Sequence, residues 1–370
     1  SLTMLAKYCF KRLLRTHALP TRHLSTAADQ IQTVSKDIKS LRKSLDDHII
    51  GHHPVKEAFI LGLLAREHMY LEGPPGVAKT MMSEIVSVAT SLDYWFYQMH
   101  RDTRLNELIG ESVIVRTEME QGEQIKHDVI RGGILTCELA VLDDISRAPG
   151  EALNVLLRIL QERKFGSITS DKIPLMSAIA TGNPVSEDGY YGDPLDPATL
   201  DRFTLQLQST GLISSSDWEH ASQVIDLYSS PRTLDDDPHI TKVRRNAVLE
   251  ASELVPLVVF GPEVKHVLLR LLQVLRKQYN CNEDNSLLTD RAFLVKAVSI
   301  MKAKAITDGR HVCVPEDLHV VKYMTTFRIP ENVHEQIEHI IATVIEEQQL
   351  QQEANKDSNN PGEQNSEDHQ

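Results

Sequence analysis

Between about Ile49 and Leu212 short apolar runs alternate with stretches of helical periodicity, and this alternation constrains the fold more than any other feature. "HMYLEG" (68–73), "YWFYQM" (94–99), "LAVLDD" (139–144), "LMSAIATGNP" (175–184) and "FTLQLQ" (203–208) have the length and β-branched or aromatic content of strands. Helical patterns such as Thr80–Thr90 and Glu151–Glu162 lie between them. Strand and helix in alternation predict an α/β unit, a parallel sheet with helices on both faces. "YWFYQM" is expected to be a buried strand. After the serine-rich "ISSSD" (213–217) the pattern turns helical, most clearly over Pro262–Tyr279, Thr289–Thr307 and Pro315–Thr326, with Thr289 and Asp290 as cap candidates.

"LEGPPGVAKT" (71–80) lies where the first strand gives way to a helix. The phosphate-loop template is G-x-x-x-x-G-K-[ST], whose backbone N–H groups wrap phosphates while the lysine reaches the terminal ones. Gly73 and Gly76 free the backbone, Lys79 supplies the cation, and Thr80 supplies a hydroxyl suited to Mg²⁺. The helix from Thr80 adds its positive end. Ala78 stands where the template has its last glycine, and one methyl is tolerated there if the residue has helical dihedrals. The expected nucleotide contacts from this loop are Gly73, Pro74, Pro75, Gly76, Val77, Ala78, Lys79, Thr80 and Met81.

A phosphate loop needs an acid for Mg²⁺ and a second acid to orient the attacking water. "ELAVLDD" provides both at a strand end: Asp143 as metal acid with Thr80, and Asp144 as water-orienting acid. Asn183 in "AIATGNP" ends the next strand and is placed to hold that water from its other side.

Taken in order, "GPPGVAKT", "VLDDISRAP", "ATGNP", "LDPATLDRF" and "GRHVCVPEDL" resemble AAA+ ATPases of the MoxR type over roughly residues 45–325. The resemblance implies an αβα nucleotide-binding core followed by a smaller all-helical lid, and a ring, usually a hexamer, with ATP and Mg²⁺ between subunits. It places Ile49, Ile50 and Gly51 of "HIIGHH" at the adenine, and makes Arg202 of "DRF" an arginine finger toward a neighbour's γ-phosphate. Arg291 of "TDRAF" takes the sensor-2 position, and Arg147 of "ISRAP" a place near the subunit interface. The family has glutamate where this chain has Asp144, so slow hydrolysis is expected. It also carries an insertion matched by residues 108–135, a helix end followed by a hairpin turning near Glu120–Gly122. An aromatic-glycine pore loop is not evident, which favours local remodelling of a protein partner over processive threading. Family members often work with partners bearing a von Willebrand A domain.

The resulting division is a targeting segment over 1–28, a helical leader over 29–46, the core over 47–212, the lid over 213–349 and a disordered acidic tail over 350–370. Residues 1–28 hold five basic residues and no acid, with "RHLST" resembling a mitochondrial processing site, so a mitochondrial address is favoured over a plastid or cytoplasmic one. A formal net charge of −13 argues against a general nucleic-acid binder. The same charge argues against a DNA motor, and a magnesium-chelatase-like motor subunit or a nucleotide-switched scaffold are the remaining alternatives to an ATPase chaperone. Cys9, Cys137, Cys281 and Cys313 lack metal-ligand spacing. His48, His52 and His53 cluster, but Gly51 interrupts their helix and no carboxylate or cysteine completes a ligand set. Val333, Ile337, Ile340, Ile341, Val344 and Ile345 form an apolar helix face expected to dock on the lid.

Overall fold

The structure is a computed structural model and describes residues 21–74, 79–119, 122–166, 171–184, 195–211, 216–229, 240–288 and 290–358. Five parallel strands form its sheet: β1 (Met69–Glu72), β2 (Tyr94–Gln98), β5 (Leu139–Asp143), β8 (Ser177–Gly182) and β9 (Leu205–Gln208), in the order β2-β5-β8-β1-β9. Alternate residues face opposite layers, as the strand period demands. Leu139, Val141 and Met69 enter one core, whereas Ala140, Leu142 and Tyr70 enter the other. Both faces are covered, which is why these strands read as continuous apolar runs. β2 departs from expectation. It is one of the sheet's two edges, paired on one side only, and its residues are half-exposed or exposed, with Phe96 39% accessible.

The first face is covered by α1 (Thr21–His48), α2 (His53–Ala65), α3 (Lys79–Thr90) and α8 (Arg245–Leu254). Ile31, Val34, Ile38, Leu41 and Leu45 fall at alternating spacings of three and four along α1, and all are buried. Each such side chain contributes about 1.5–3 kcal/mol when buried. α1 begins inside the stretch expected to be a targeting segment, so "RHLST" at 22–26 is helical, while residues 1–20 lie outside the described residues. The second face packs against α4 (Leu105–Ile109) and α5 (Gly150–Glu162) through Leu108, Leu156, Ile159 and Leu160. α6 (Pro197–Leu200), capped by the Asp196 side chain, leads into β9.

The insertion is a hairpin of β3 (Gly110–Met119) and β4 (Gly122–Arg131), paired from Gly110↔Arg131 to Met119↔Gly122. A small pair, β6 (Lys164–Phe165) and β7 (Asp171–Lys172), follows α5. Beyond β9 come α7 (Trp218–Tyr228), α8, α9 (Pro262–Lys277), α10 (Asp290–Thr307), α11 (Glu331–His334) and α12 (Ile337–Ser358). Thr289 lies outside the described residues. The expected helix over Pro315–Thr326 is a 3₁₀ helix, Pro315–Met324. Ile337, Ile340, Ile341, Val344 and Ile345 are buried, as is Val333 on the preceding short helix. α12 also runs nine residues into the stretch expected to be disordered. Its "QQEANKDS" is rich in good helix formers, so a helix already anchored upstream extends through it.

Candidate active site

Strand order places the site. The chain leaves β1 toward β2 on one side and leaves β8 for β9 on the other, so a crevice opens beyond the carboxyl ends of β1 and β8. Gly73 N donates to Gly182 O at 3.1 Å and closes the two strand ends together. Gly182 has no room for a side chain, because a Cβ would stand 2.3 Å from the Tyr70 hydroxyl.

Lys79, the first residue of α3, points into this crevice, where its Nζ donates to Gly73 O at 2.8 Å and to Gly182 O at 3.4 Å. Burial pulls its ammonium below the ordinary value, against the opposing charges of Asp143, Asp144 and Glu72. An ammonium held by two neutral carbonyls beside anions is poised to exchange them for phosphate oxygens. Burial also raises the Glu72 carboxyl, against a hydrogen bond from Gln208 and the charge of Lys79. Thr80 and Met81 follow on α3, both half-buried, and Gly73 and Pro74 open the loop. Pro75, Gly76, Val77 and Ala78 lie outside the described residues.

The acids at the end of β5 are held by β8. Thr181 Oγ1 donates to Asp143 Oδ1, and Asp144 N donates to Thr181 Oγ1 at 3.2 Å. Asp144 sits at φ 54°, ψ 46° and is 8% exposed. Left-handed dihedrals cost a non-glycine residue energy, and they turn this side chain back into the crevice. Asn183 Nδ2 donates to Asp144 Oδ1 at 2.8 Å, while Arg147 Nε lies 3.4 Å from Asp144 Oδ2. Thus Lys79, Asp143, Asp144 and Asn183 come together. One contributor, Thr181, and one contact, that of Arg147, were missed in sequence. Thr181 is a hydroxyl in a wholly buried strand, and such a group demands a partner, so its presence in "ATG" was a usable signal. Arg147, expected near an interface, also pairs with Asp144 on its own chain, and its side chain is 53% exposed.

Ile49, Ile50 and Gly51 connect α1 to α2, and Gly51 adopts φ 72°, a left-handed value that ends α1. Lys56 Nζ, fully buried, donates to Ile49 O at 3.0 Å and pairs with Asp46. The three histidines diverge: His48 Nδ1 bonds Ser44 O, His52 Nδ1 lies 3.1 Å from Ser209 Oγ, and His53 faces Asp46 at 3.7 Å. Burial holds His52 below its ordinary pKa. Arg202 is exposed at the end of α6, its guanidinium bonded to Gln161. Arg291 is exposed in the first turn of α10. The described contacts join neither arginine to the Lys79–Asp144 cluster.

Thr80 and Asp143 offer hydroxyl and carboxylate oxygens, the hard donor set that Mg²⁺ takes, and Thr181 fixes the carboxylate's orientation. The residues therefore fit the metal that a nucleotide would bring.

Residues 68–203 match the AAA domain of the dynein-related subfamily, and residues 267–341 match an AAA lid domain. The chaperone MoxR1 of Mycobacterium tuberculosis is 28% identical over 194 residues, 52% of this chain and 48% of that protein. The chain thus spans about half the length of that relative. An uncharacterized protein of Methanocaldococcus jannaschii, MJ0812, is 24% identical over 290 residues, 78% of this chain and 70% of its own. A solved structure of a candidate ATPase from Cytophaga hutchinsonii superposes with a TM-score of 0.67 at 22% identity, covering 88% of this chain and 98% of that one. At that identity the likeness speaks for the fold alone. With the two matched segments in this order, the chain belongs to the MoxR-like AAA ATPases of the dynein-related subfamily, and it carries the AAA lid.

Proposed function

We propose that the protein is an ATP-hydrolysing chaperone that works as a ring, in the hexameric form usual for such ATPases, and remodels or activates a protein partner. The observation that carries this reading is the meeting of Lys79, Asp143, Asp144 and Asn183 at the ends of β1, β5 and β8. Lys79 would exchange its carbonyl partners for β- and γ-phosphate oxygens. Mg²⁺, held by Thr80 and Asp143, would neutralise charge developing on the phosphates. Asp144 and Asn183 would hold the attacking water between them, and Arg202 would reach the γ-phosphate of a neighbouring subunit. Arg291 would act from the lid, and Ile49–Gly51 would border the base. A von Willebrand A domain is the partner class favoured by the family. The basic, acid-free composition of residues 1–28 supports delivery to a mitochondrion.

Turnover is proposed to be slow. Aspartate is one methylene shorter than glutamate, and here both its oxygens are engaged, by Asn183 and by Arg147. A misplacement of about an ångström costs on the order of a hundredfold in rate. This geometry also favours a second reading, a scaffold switched by bound ATP that hydrolyses it rarely. Phosphate release measured over many turnovers separates the two. Turnover that Asp144→Asn abolishes supports the enzyme, and turnover unaffected by that change removes Asp144 from the mechanism.

A further inference from the structure

Arg202 is exposed, but the main chain that carries it is gripped from the lid. Arg328, just beyond the 3₁₀ helix, is 2% exposed. Its Nη1 donates to Thr204 O at 2.8 Å and to Met324 O at 2.7 Å, and its Nη2 donates to Phe203 O at 2.8 Å. The same Nη2 lies 3.6 Å from Asp201 Oδ1. From α10, Lys296 Nζ donates to Asp201 O at 2.9 Å. Two lid cations therefore hold the carbonyls of residues 201, 203 and 204, on both sides of Arg202. Beside them Phe327 packs edge-on to Tyr70 at 5.7 Å, and Tyr70 packs against Phe203 at 6.1 Å. Tyr70 precedes the phosphate loop on β1, and its hydroxyl crowds Gly182, the residue before Asn183.

Burying a guanidinium costs more than burying an apolar side chain of equal size unless its hydrogen bonds are met, and such pairs serve to fix orientation more than to stabilise. Here the bonds are met, and they go to the backbone around one exposed arginine. From this geometry we infer that Arg328, assisted by Lys296, is a positioning residue for Arg202. The reach of each subunit's finger is then set by its own lid, through a junction that also touches the nucleotide end of β1. This inference rests on the reading of Arg202 as a finger acting on a neighbour.

Mixed assemblies test it. Arg328→Met should lower kcat at least tenfold while its own Kd for a fluorescent ATP analogue stays within threefold. Mixed in equal amounts with Asp144→Asn, it should regain activity above the sum of the two parts. The Asp144→Asn subunit would then lend a well-held finger to the intact site of Arg328→Met. Arg328→Lys should fall between the parent and Met, and Lys296→Met should show a smaller loss of the same kind. Parent-level kcat in Arg328→Met overturns the inference, as does a lost kcat that mixing fails to restore while Arg202→Ala is restored. If Arg202→Ala is itself not restored by Asp144→Asn, the finger reading falls and the inference with it. Should Arg328→Met not fold, Lys296→Met decides: restored by mixing, it supports the clamp; at parent-level kcat, it overturns it.

Discussion

Lys79, Asp143, Asp144 and Asn183 meet in a half-buried crevice, each held by a neighbouring strand end, whereas Arg202 stands in solvent on a backbone fastened from elsewhere. The first group has one cation against two acids, with Arg147 beside Asp144 supplying the second positive charge, and depends on adjacent strand ends for its geometry. The second keeps its guanidinium accessible, bonded to Gln161, and depends on residues 95 and 125 positions away from the carbonyls they hold. Groups that hold a ligand must be mutually compensated before it arrives, because buried charge without a partner is costly. A group proposed to act on another subunit must instead remain available, so its order has to come from the main chain.

Changes at the two ends should therefore separate rate from binding. The largest effect is expected from Arg202→Ala, which should lower kcat by about a thousandfold and leave nucleotide affinity unchanged. Steady-state phosphate release and analogue titration, on the same preparation, read both quantities. A matching loss of affinity would return Arg202 to the binding group. Lys79→Ala should do the reverse, weakening ATP binding by about a hundredfold or more, since the cation between Gly73 and Gly182 is removed. Unchanged affinity there would sink the phosphate-loop assignment.

A smaller effect sharpens the comparison within the crevice. Asp144→Glu should raise turnover by about tenfold, up to the hundredfold that misplacement costs, and Asp144→Asn should lower what remains. If Asp144→Glu is no faster, side-chain length is not what limits the rate, and the pairing with Arg147 becomes the constraint to remove.

The smallest effect concerns the scaffold behind both ends. His68 is buried between α5 and β8, where its Nε2 donates to Leu160 O at 2.9 Å and its Nδ1 accepts from Ala178 N at 3.0 Å. The contact at Nδ1 requires the neutral ring, and burial pushes its pKa down from 6.5 to about 3. At pH above 6.5 neither the folded nor the unfolded state protonates this ring, so its stabilisation is complete. As pH falls from 6.5 toward 3 the unfolded chain takes up a proton that the folded one refuses. Stability then declines by up to about 1.4 kcal/mol per pH unit from this group. Urea unfolding between pH 7 and pH 5 should show that slope, and His68→Gln should flatten it by close to one proton.

The crevice was legible in sequence because its parts are local. A glycine-rich turn before Lys79, paired acids ending one apolar run and Asn183 ending another each announce themselves within ten residues. Strands buried on both faces were legible for the same reason, since continuous apolar runs such as "LAVLDD" require cover on either side. Edge position was not, and "YWFYQM" was expected to be buried because pairing order depends on crossovers that composition does not encode. Arg328 and Lys296 were also invisible. Lys296 is one basic residue in a helix and Arg328 one in the turn after the 3₁₀ helix, and their meaning lies in carbonyls that only the tertiary fold brings near.

The β3–β4 hairpin departs from the body at Gly110, whose φ of +105° suits glycine and where a Cβ would lie 2.1 Å from Ile130 O. Ten paired positions at about 3.4 Å each give a beam roughly 30 Å long. Ile114 and Ile130 are 60% and 61% exposed along it. A beam of that length, pinned at its base, multiplies angle into distance: a tilt of about 10° at the root displaces the far end by roughly 5 Å on the same strand geometry. Motions too small to disturb the packing around Gly110 thus become, at the tip, displacements about as large as the spacing between neighbouring strands.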